Sequence, residues 1–416
     1  RGKCAAKEQC AAFDVKYRQI GSLVLAFSDE EMATVRRLYE NGVANGVPGV
    51  RVLTREETLA MEPNLSDAVC GALYAPSAAI VEPWDLALAL AEAAVENGVE
   101  LHLETAVTGA EKISGGWRLH TAKGDFEARA VVNAAGVEAD LVAAMAGEPG
   151  FTTIPSRGEY YLLDKSQGYV VNHVVFQCPN RDGKGVLVSP TVHYNLIVGP
   201  NAEPSGREDV STQADALAFV REKGRQERAG RKLPGKISAI LRACAPIPTK
   251  AILSFGETAP GFITLGGIKS PGLSSAPAIA EDALALVAGA GVTLEKKESF
   301  VHTRTKKRFN EMTPQQKAEA IRENPLYGRV ICRCETVTEG EIVDALHRPI
   351  PPRTIDGVKR RCTAGMGRCQ GGFCGPRVHE IIARELGIPQ QDVLKDRAGS
   401  YIITGTTKEG GLHHGE

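Results

Sequence analysis

Apolar and polar positions follow two rhythms along this chain, and the change between them divides it. The apolar run Ile20 to Phe27 predicts a strand, and Ser28-x-x-Glu31 predicts a capping box that opens a helix over 28–40. Pro83 to Asn97, rich in alanine and leucine, predicts a helix stopped by Gly98, with a strand at Val99 to Leu103 behind it. Trp117 to Leu119 and Phe126 to Ala128 predict a hairpin around Lys123-Gly124-Asp125. Ala130 to Ala135 (AVVNAA) reads as a buried strand running into Gly136, followed by a helix to Ala146.

From Phe151 to about Phe255 the pattern turns to short strands (YYLLD, VVFQ, GVLVSP, NLIVGP), with one helix from Thr212 to Glu227. A strand at Phe262 to Leu265, a glycine turn and a helix from Ala276 to Val287 then restore the first rhythm. This layout predicts an α/β body over 1–298 with an antiparallel sheet inserted at about 151–255. The polar stretch 299–324 reads as a linker, 325–386 as a small helical cysteine-rich domain, and 387–416 as a tail whose Gly/His/Glu-rich end is expected to be disordered.

Composition changes this picture little. A hydrophobic fraction of 43%, a charged fraction of 24% and a net charge of −1 over 416 residues are those of an ordinary globular protein. They offer no nucleic-acid partner, and Lys359-Arg360-Arg361 is too short to supply one. No apolar run approaches the ~20 residues that span a bilayer, and Arg1-Gly2-Lys3-Cys4 lacks the apolar core of a signal peptide. Uneven cysteine spacing points to a reducing cytoplasm. The chain starts on Arg1 inside a helical pattern, so it reads as a piece whose natural start lies upstream.

Five of the ten cysteines fall between Cys332 and Cys374. Cys332-x-Cys334 and Cys369-x4-Cys374 lie on either side of a helical insert and bring four soft thiolates together, which suits an iron–sulfur cluster or zinc. A C-x-C arm is unusual for structural zinc. Thr338-x-x-Glu341 predicts a capped helix, and Ala364-Gly365-Met366-Gly367 lets the backbone bend closely around a ligand. Gly375-Pro376 opens a helix whose dipole, with Arg368 and Arg377, favours negative charge nearby. Cys362 is the spare thiol and reads as a small hydrophobe. The run CRCETVTEGEI followed by KRRCTAGMGRCQGGFCG resembles the 2Fe–2S domain of the bacterioferritin-associated ferredoxin type. The resemblance implies Cys332, Cys334, Cys369 and Cys374 as ligands of a 2Fe–2S cluster.

In the body, Val131 to Gly136 ends a strand on small residues, and 266–275 (GGIKSPGLSS) is a strand-to-helix turn rich in glycine. Amides at the N-terminus of the following helix suit an anion. Taken with GEYYLLDK and VLVSPTVHYNLIVGP, these stretches resemble the FAD-dependent D-amino-acid oxidase superfamily, in its branch of anaerobic glycerol-3-phosphate dehydrogenase and 2-hydroxyglutarate dehydrogenase subunits. That resemblance implies a Rossmann-like FAD-binding fold whose first βαβ unit, with its G-x-G-x-x-G, is missing from the sequence. It implies FAD contacts at Ala135, Gly136, Gly266, Gly267, Ile268, Lys269, Gly272, Leu273 and Ser274.

The same resemblance implies a dehydrogenase acting on a small anionic substrate, a glycerol 3-phosphate or 2-hydroxy acid. Its electrons are expected to leave through the cluster to an electron-acceptor protein subunit, and the chain itself is expected not to span a membrane. Arg242 and Lys269 are the expected anion-binding catalytic pair, with Arg157, Tyr160, Tyr161 and His193 lining the pocket. Amino-acid or opine-type amine oxidation, and a non-catalytic electron-transfer or scaffold subunit, are the alternatives.

Overall fold

In a computed structural model, residues 2–179, 185–226, 237–248 and 254–405 are described. They form two compact units, one of residues 1–11, 16–81 and 101–300 and one of residues 12–15, 82–100 and 301–416.

The first unit is built on a nine-stranded sheet. Its central order runs Thr153–Leu163, Leu196–Gly199, Leu187–Pro190, Val174–Gln177, Ser22–Ala26, Gly71–Ala75, with Ile237–Pro248 on the outer flank of Thr153–Leu163. Its described pairings are antiparallel except Val174–Gln177 with Ser22–Ala26. The strand near Ile20 therefore belongs to the same sheet as the strand-rich middle, and that sheet extends beyond the expected insertion. Leu23, Leu25, Val175, Val188, Leu196 and Val198 fill its core. Alternate residues point inward, as half-buried strands require. The helix Asp29–Ala44 starts where the capping pattern placed it: Ser28 Oγ accepts the Glu31 N–H, and Glu31 returns a bond to the Phe27 N–H.

A second sheet of the same unit joins Val131–Asn133 in parallel to Phe262–Gly266, which pairs antiparallel with Ser254–Ala259. One expected strand did not form. Val99, Leu101 and Leu103 have strand-like alternation, but the segment is irregular and all three side chains are exposed. Alternation without a neighbouring strand to hydrogen-bond does not make a sheet.

In the second unit, Ile342, Leu346, Val358, Val378, Ile382 and Val393 form the core, and Cys332 and Cys374 lie within it. Thr338 and Glu341 form the expected capping box. The stretch 299–324, expected as a linker, is packed structure. Arg304 bonds the buried carboxylates of Asp85 and Glu92, Phe309 is buried, and Thr313 caps the helix Pro314–Glu323. Its basic residues read as solvated from sequence because their acidic partners lie more than 200 positions away. Residues 387–405 also pack, since Val393 is buried and Ile355 N–H donates to Leu394 O. The Gly/His/Glu-rich end lies outside the described residues. Among the described residues no helix is long and apolar enough to cross a membrane.

Candidate functional site

Parallel pairing sets Thr264 beside Asn133 and brings the carboxyl ends of the two strands together. The turns at 134–136 and 266–272 therefore open at one edge, the place where open α/β sheets hold ligands. Asn133 fixes the first turn. Its Nδ2 donates to Ala139 O at 2.7 Å and Thr264 Oγ1 at 3.3 Å, and its Oδ1 accepts the Ala135 N–H at 3.2 Å. This buried amide was not singled out from the sequence, although a polar residue in the apolar run AVVNAA was its signal. Gly136 and Gly267 have φ of 61° and 69°, which disfavour any side chain. A Cβ on Gly266 would stand 2.3 Å from the Phe151 ring, whereas one on Gly136 would meet open space.

Ala135 and Gly136 are exposed, as are Lys269, Leu273 and Ser274, while Gly266 and Gly267 are buried and Ile268 and Gly272 half-buried. Gly272, Leu273 and Ser274 form the first turn of the helix Gly272–Gly289, whose start is earlier than the sequence indicated. Two glycine turns, an open backbone surface and a helix N-terminus at one edge fit the flat, anionic cofactor expected there.

A second tether was invisible in the sequence. Arg207 Nη2 lies 2.7 Å from Asp140 Oδ2 and 3.2 Å from Thr153 O, and its Nη1 donates to Val137 O. Asp140 Oδ2 also accepts the Thr153 N–H at 2.8 Å. Burial pushes the Asp140 carboxyl up, but the bond and charge of Arg207 together with the N–H groups of Thr153 and Leu141 outweigh it and hold the group below the usual aspartate range. The pair joins the 136–138 turn to the start of the long strand Thr153–Leu163.

On that strand the expected pocket residues are not all on one wall. Arg157, Glu159 and Tyr161 share one face and Tyr160 the other, by the two-residue period. The Arg157 guanidinium is held by Glu203 and Asp209, each at 3.0 Å, and by Glu159 at 3.2 Å. Tyr161 packs against the sheet core. Tyr160 stands against Gly199, and burial raises its phenol, which keeps the hydroxyl a donor. His193 lies in the 191–195 turn, where its N–H meets Thr191 Oγ1 at 3.3 Å. Arg242 pairs through its backbone with Glu159 on the neighbouring strand, and its side chain lies outside the described atoms.

In the second unit the four cysteines meet as two pairs. Cys334 and Cys369 Sγ stand 3.6 Å apart, and Cys374 donates to Cys332. That bond lowers Cys332 to about 6 against the effect of burial, helped by the N–H groups of Gly365 and Glu335. Cys374, the donor, is pushed up. Cys332 and Cys374 are buried, Cys369 is half-buried and Cys334 exposed. Two thiol pairs with backbone N–H donors match a two-iron cluster, in which each iron takes two thiolates.

The loop is shaped for it. A Cβ on Gly367 would fall 2.2 Å from Cys334 Cβ, and Thr363, Gly365, Gln370 and Gly371 all have positive φ. Cys374 forms the N-cap of the helix Gly375–Leu386, whose dipole favours anionic sulfur. Cys362, the spare thiol, packs against the core cluster and donates to Val358 O at 3.4 Å, and burial pushes it up to about 12.

Comparisons with known proteins give a family for each of the two regions. The FAD dependent oxidoreductase (DAO) family matches residues 4–286, and the BFD-like [2Fe-2S] binding domain matches residues 330–384. A glycerol 3-phosphate dehydrogenase of Caloramator mitchellensis is 46% identical over 98% of this chain and 86% of its own length. An L-2-hydroxyglutarate dehydrogenase of Escherichia coli is 32% identical over 48% of each chain. The FAD-bound, dithionite-reduced L-alpha-glycerophosphate oxidase of Mycoplasma pneumoniae superposes with a TM-score of 0.67 at 26% identity, over 73% of this chain and 80% of that one. This chain belongs to the DAO family of FAD-dependent oxidoreductases and carries a BFD-type 2Fe–2S domain.

Proposed function

We propose that the chain is a dehydrogenase of glycerol 3-phosphate, or a close anionic alcohol, that passes electrons through its 2Fe–2S cluster to a protein acceptor. The observation that carries this reading is the 46% identity, over almost the whole chain, to a protein named for that reaction. The hydroxyglutarate relative matches less than half as much sequence. In this reading residues 1–298 are the flavin body with its substrate sheet at about 151–255, residues 325–386 are the cluster domain, and 387–416 follow it.

When bound, FAD supplies the two-electron acceptor and the cluster a one-electron relay. The protein's task is to bind and orient the substrate. Arg242 clamps the substrate anion, since a guanidinium meets phosphate or carboxylate through two parallel N–H bonds. Lys269, exposed in the flavin turn, adds a second positive charge. Arg157 already has three carboxylate neighbours, so its part is to hold the strand that carries Tyr160 rather than to bind substrate. Tyr160 and His193 supply hydrogen bonds to the alcohol end. Ala135, Gly136, Gly266, Gly267, Ile268, Gly272, Leu273 and Ser274 form the flavin-side wall. Cys332, Cys334, Cys369 and Cys374 hold the cluster.

The test is anaerobic turnover of the full-length holoenzyme with a one-electron dye, on glycerol 3-phosphate, L-2-hydroxyglutarate and L-proline. We expect kcat/KM for glycerol 3-phosphate to exceed the others by about 100-fold or more, the discrimination open to a site that pairs substrate polar groups. Faster oxidation of proline would replace this reading with amine oxidation, and no turnover of any of them would leave an electron-transfer subunit.

A further inference from the structure

Phe373 is 79% exposed, more than any other large hydrophobic side chain among the described residues. A single exposed apolar residue is ordinary on a protein surface. This one is set apart by its place, directly before the cluster ligand Cys374 and four residues after Cys369. Its backbone N–H bonds the Cys369 sulfur, which places it on the more open side of the cysteine site: Cys332 and Cys374 sit in the core, while Cys334 is exposed and Cys369 half-buried.

The exposed charges near it are mainly basic. Arg333 precedes Cys334, Arg368 precedes Cys369, and Arg377 lies in the first turn of the helix capped by Cys374; all three are exposed. Glu335, the acidic residue of the same loops, is 6% exposed. Glu380 faces solvent but is paired with Arg377 at 2.7 Å. An aromatic anchor inside a basic rim is the composition of a small interface that must form and release quickly.

We propose that the surface around Phe373, rimmed by Arg333, Arg368 and Arg377, docks an acidic one-electron carrier protein. Phe373 packs into an apolar spot on the carrier, and the arginines steer it and fix its orientation. One electron leaves the reduced cluster and one acceptor centre gains it, with no bond made or broken. This inference rests on the electron-exit reading given above.

The probe is a pair of carriers with the same haem and opposite charge: native cytochrome c, which is basic, and its lysine-succinylated form, which is acidic. The holoenzyme is reduced with dithionite and desalted, so substrate turnover is not needed. Haem reduction is followed by stopped flow, and binding of each oxidised carrier by calorimetry. The succinylated form is expected to react about tenfold or more faster at low salt, the advantage shrinking as ionic strength rises past a Debye length of ~8 Å near 0.15 M.

Phe373→Ser should weaken binding and slow the reaction about fivefold or more, and Arg333→Glu should move the preference toward native cytochrome c. Equal rates for the two carriers, or a faster native form, would overturn the proposal. So would a Phe373→Ser protein with an intact cluster signal and unchanged rate and affinity. If that variant fails to assemble its cluster, the salt dependence of the unaltered protein decides. Dye reduction by substrate, measured separately, shows whether any failure lies in the docking surface or in the dehydrogenase reading.

Discussion

Arg348 Nη2 lies 2.8 Å from Glu92 Oε2, across 256 positions of sequence. Glu92 is 1% exposed and also accepts Arg304 Nη1 at 3.1 Å. Arg304 reaches Asp85, two turns away on the same helical face, at 2.8 Å, and Lys306 reaches the same carboxylate at 3.0 Å. An apolar helix, Pro83–Glu96, thus carries two buried acids that gather the basic residues of the second unit. Removing one partner leaves buried charge behind, so Glu92→Gln should cost about 3 kcal/mol, with the cluster and flavin contents unaffected. Urea unfolding would show it as a lowered midpoint, and Arg348→Met combined with Glu92→Gln should recover part of the loss.

Stability should fall in acid through the same group. Burial raises the Asp85 carboxyl, but Lys306 and Arg304 outweigh it and hold the folded value below the ordinary 3.8. A depressed folded value stabilises fully above the unfolded value and loses that contribution as pH drops through the folded one. Asp140, held low by Arg207, acts in the same direction. Urea midpoints are therefore expected to hold above pH ~5 and decline steadily below pH ~4, and Asp85→Asn should flatten that acid limb. An equally steep decline in Asp85→Asn would assign the acid sensitivity to other groups.

The proposed cluster ligands and the spare thiol make opposite predictions. Cys369→Ser should abolish the visible absorption and EPR signal of the 2Fe–2S cluster, whereas Cys362→Ala should retain both. Gly367→Ala should resemble the ligand mutant, because its added methyl would fall 2.2 Å from Cys334 Cβ. Iron analysis of the three purified proteins checks all of these outcomes, and a cluster retained in Cys369→Ser would remove that residue from the ligand set.

How much of this could be read from the sequence depends on the range of the signal. The capping patterns at Ser28 and Thr338 and the C-x-C and C-x4-C arms are local patterns: both helices start where the pattern put them, with the reciprocal box complete at Thr338, while Glu31 accepts the Phe27 N–H instead of the Ser28 N–H. The two glycine turns were legible singly, but their meeting at one edge needed the register of Thr264 on Asn133. Long-range ion pairs were not legible. Arg304 with Glu92 and Arg207 with Asp140 join segments that look solvated or neutral alone, which is why 299–324 read as a linker. Arg157 shows the converse: a basic residue in a motif-like stretch reads as pocket lining, and its carboxylate neighbours Glu203 and Asp209 come from segments more than 40 positions away.

Arg242 carries the substrate prediction. Arg242→Ala in the full-length holoenzyme should raise KM for glycerol 3-phosphate about 100-fold, the loss of a charge-assisted bidentate contact, with FAD and iron contents unchanged. Arg242→Lys should recover only part of it, since a point charge does not reproduce the paired N–H geometry. Steady-state kinetics with a small dye measure this directly, and an unchanged KM in Arg242→Ala would place the anion elsewhere.

The most direct test of the account is an anaerobic titration of the full-length holoenzyme with glycerol 3-phosphate, without added acceptor, followed by absorbance and EPR on the same samples. We predict that the flavin bands bleach and the EPR signal of the reduced 2Fe–2S cluster rises in the same titration, with L-2-hydroxyglutarate far less effective. Bleaching with the cluster still oxidised and EPR-silent would contradict the proposed electron path, and no bleaching at all would contradict the substrate.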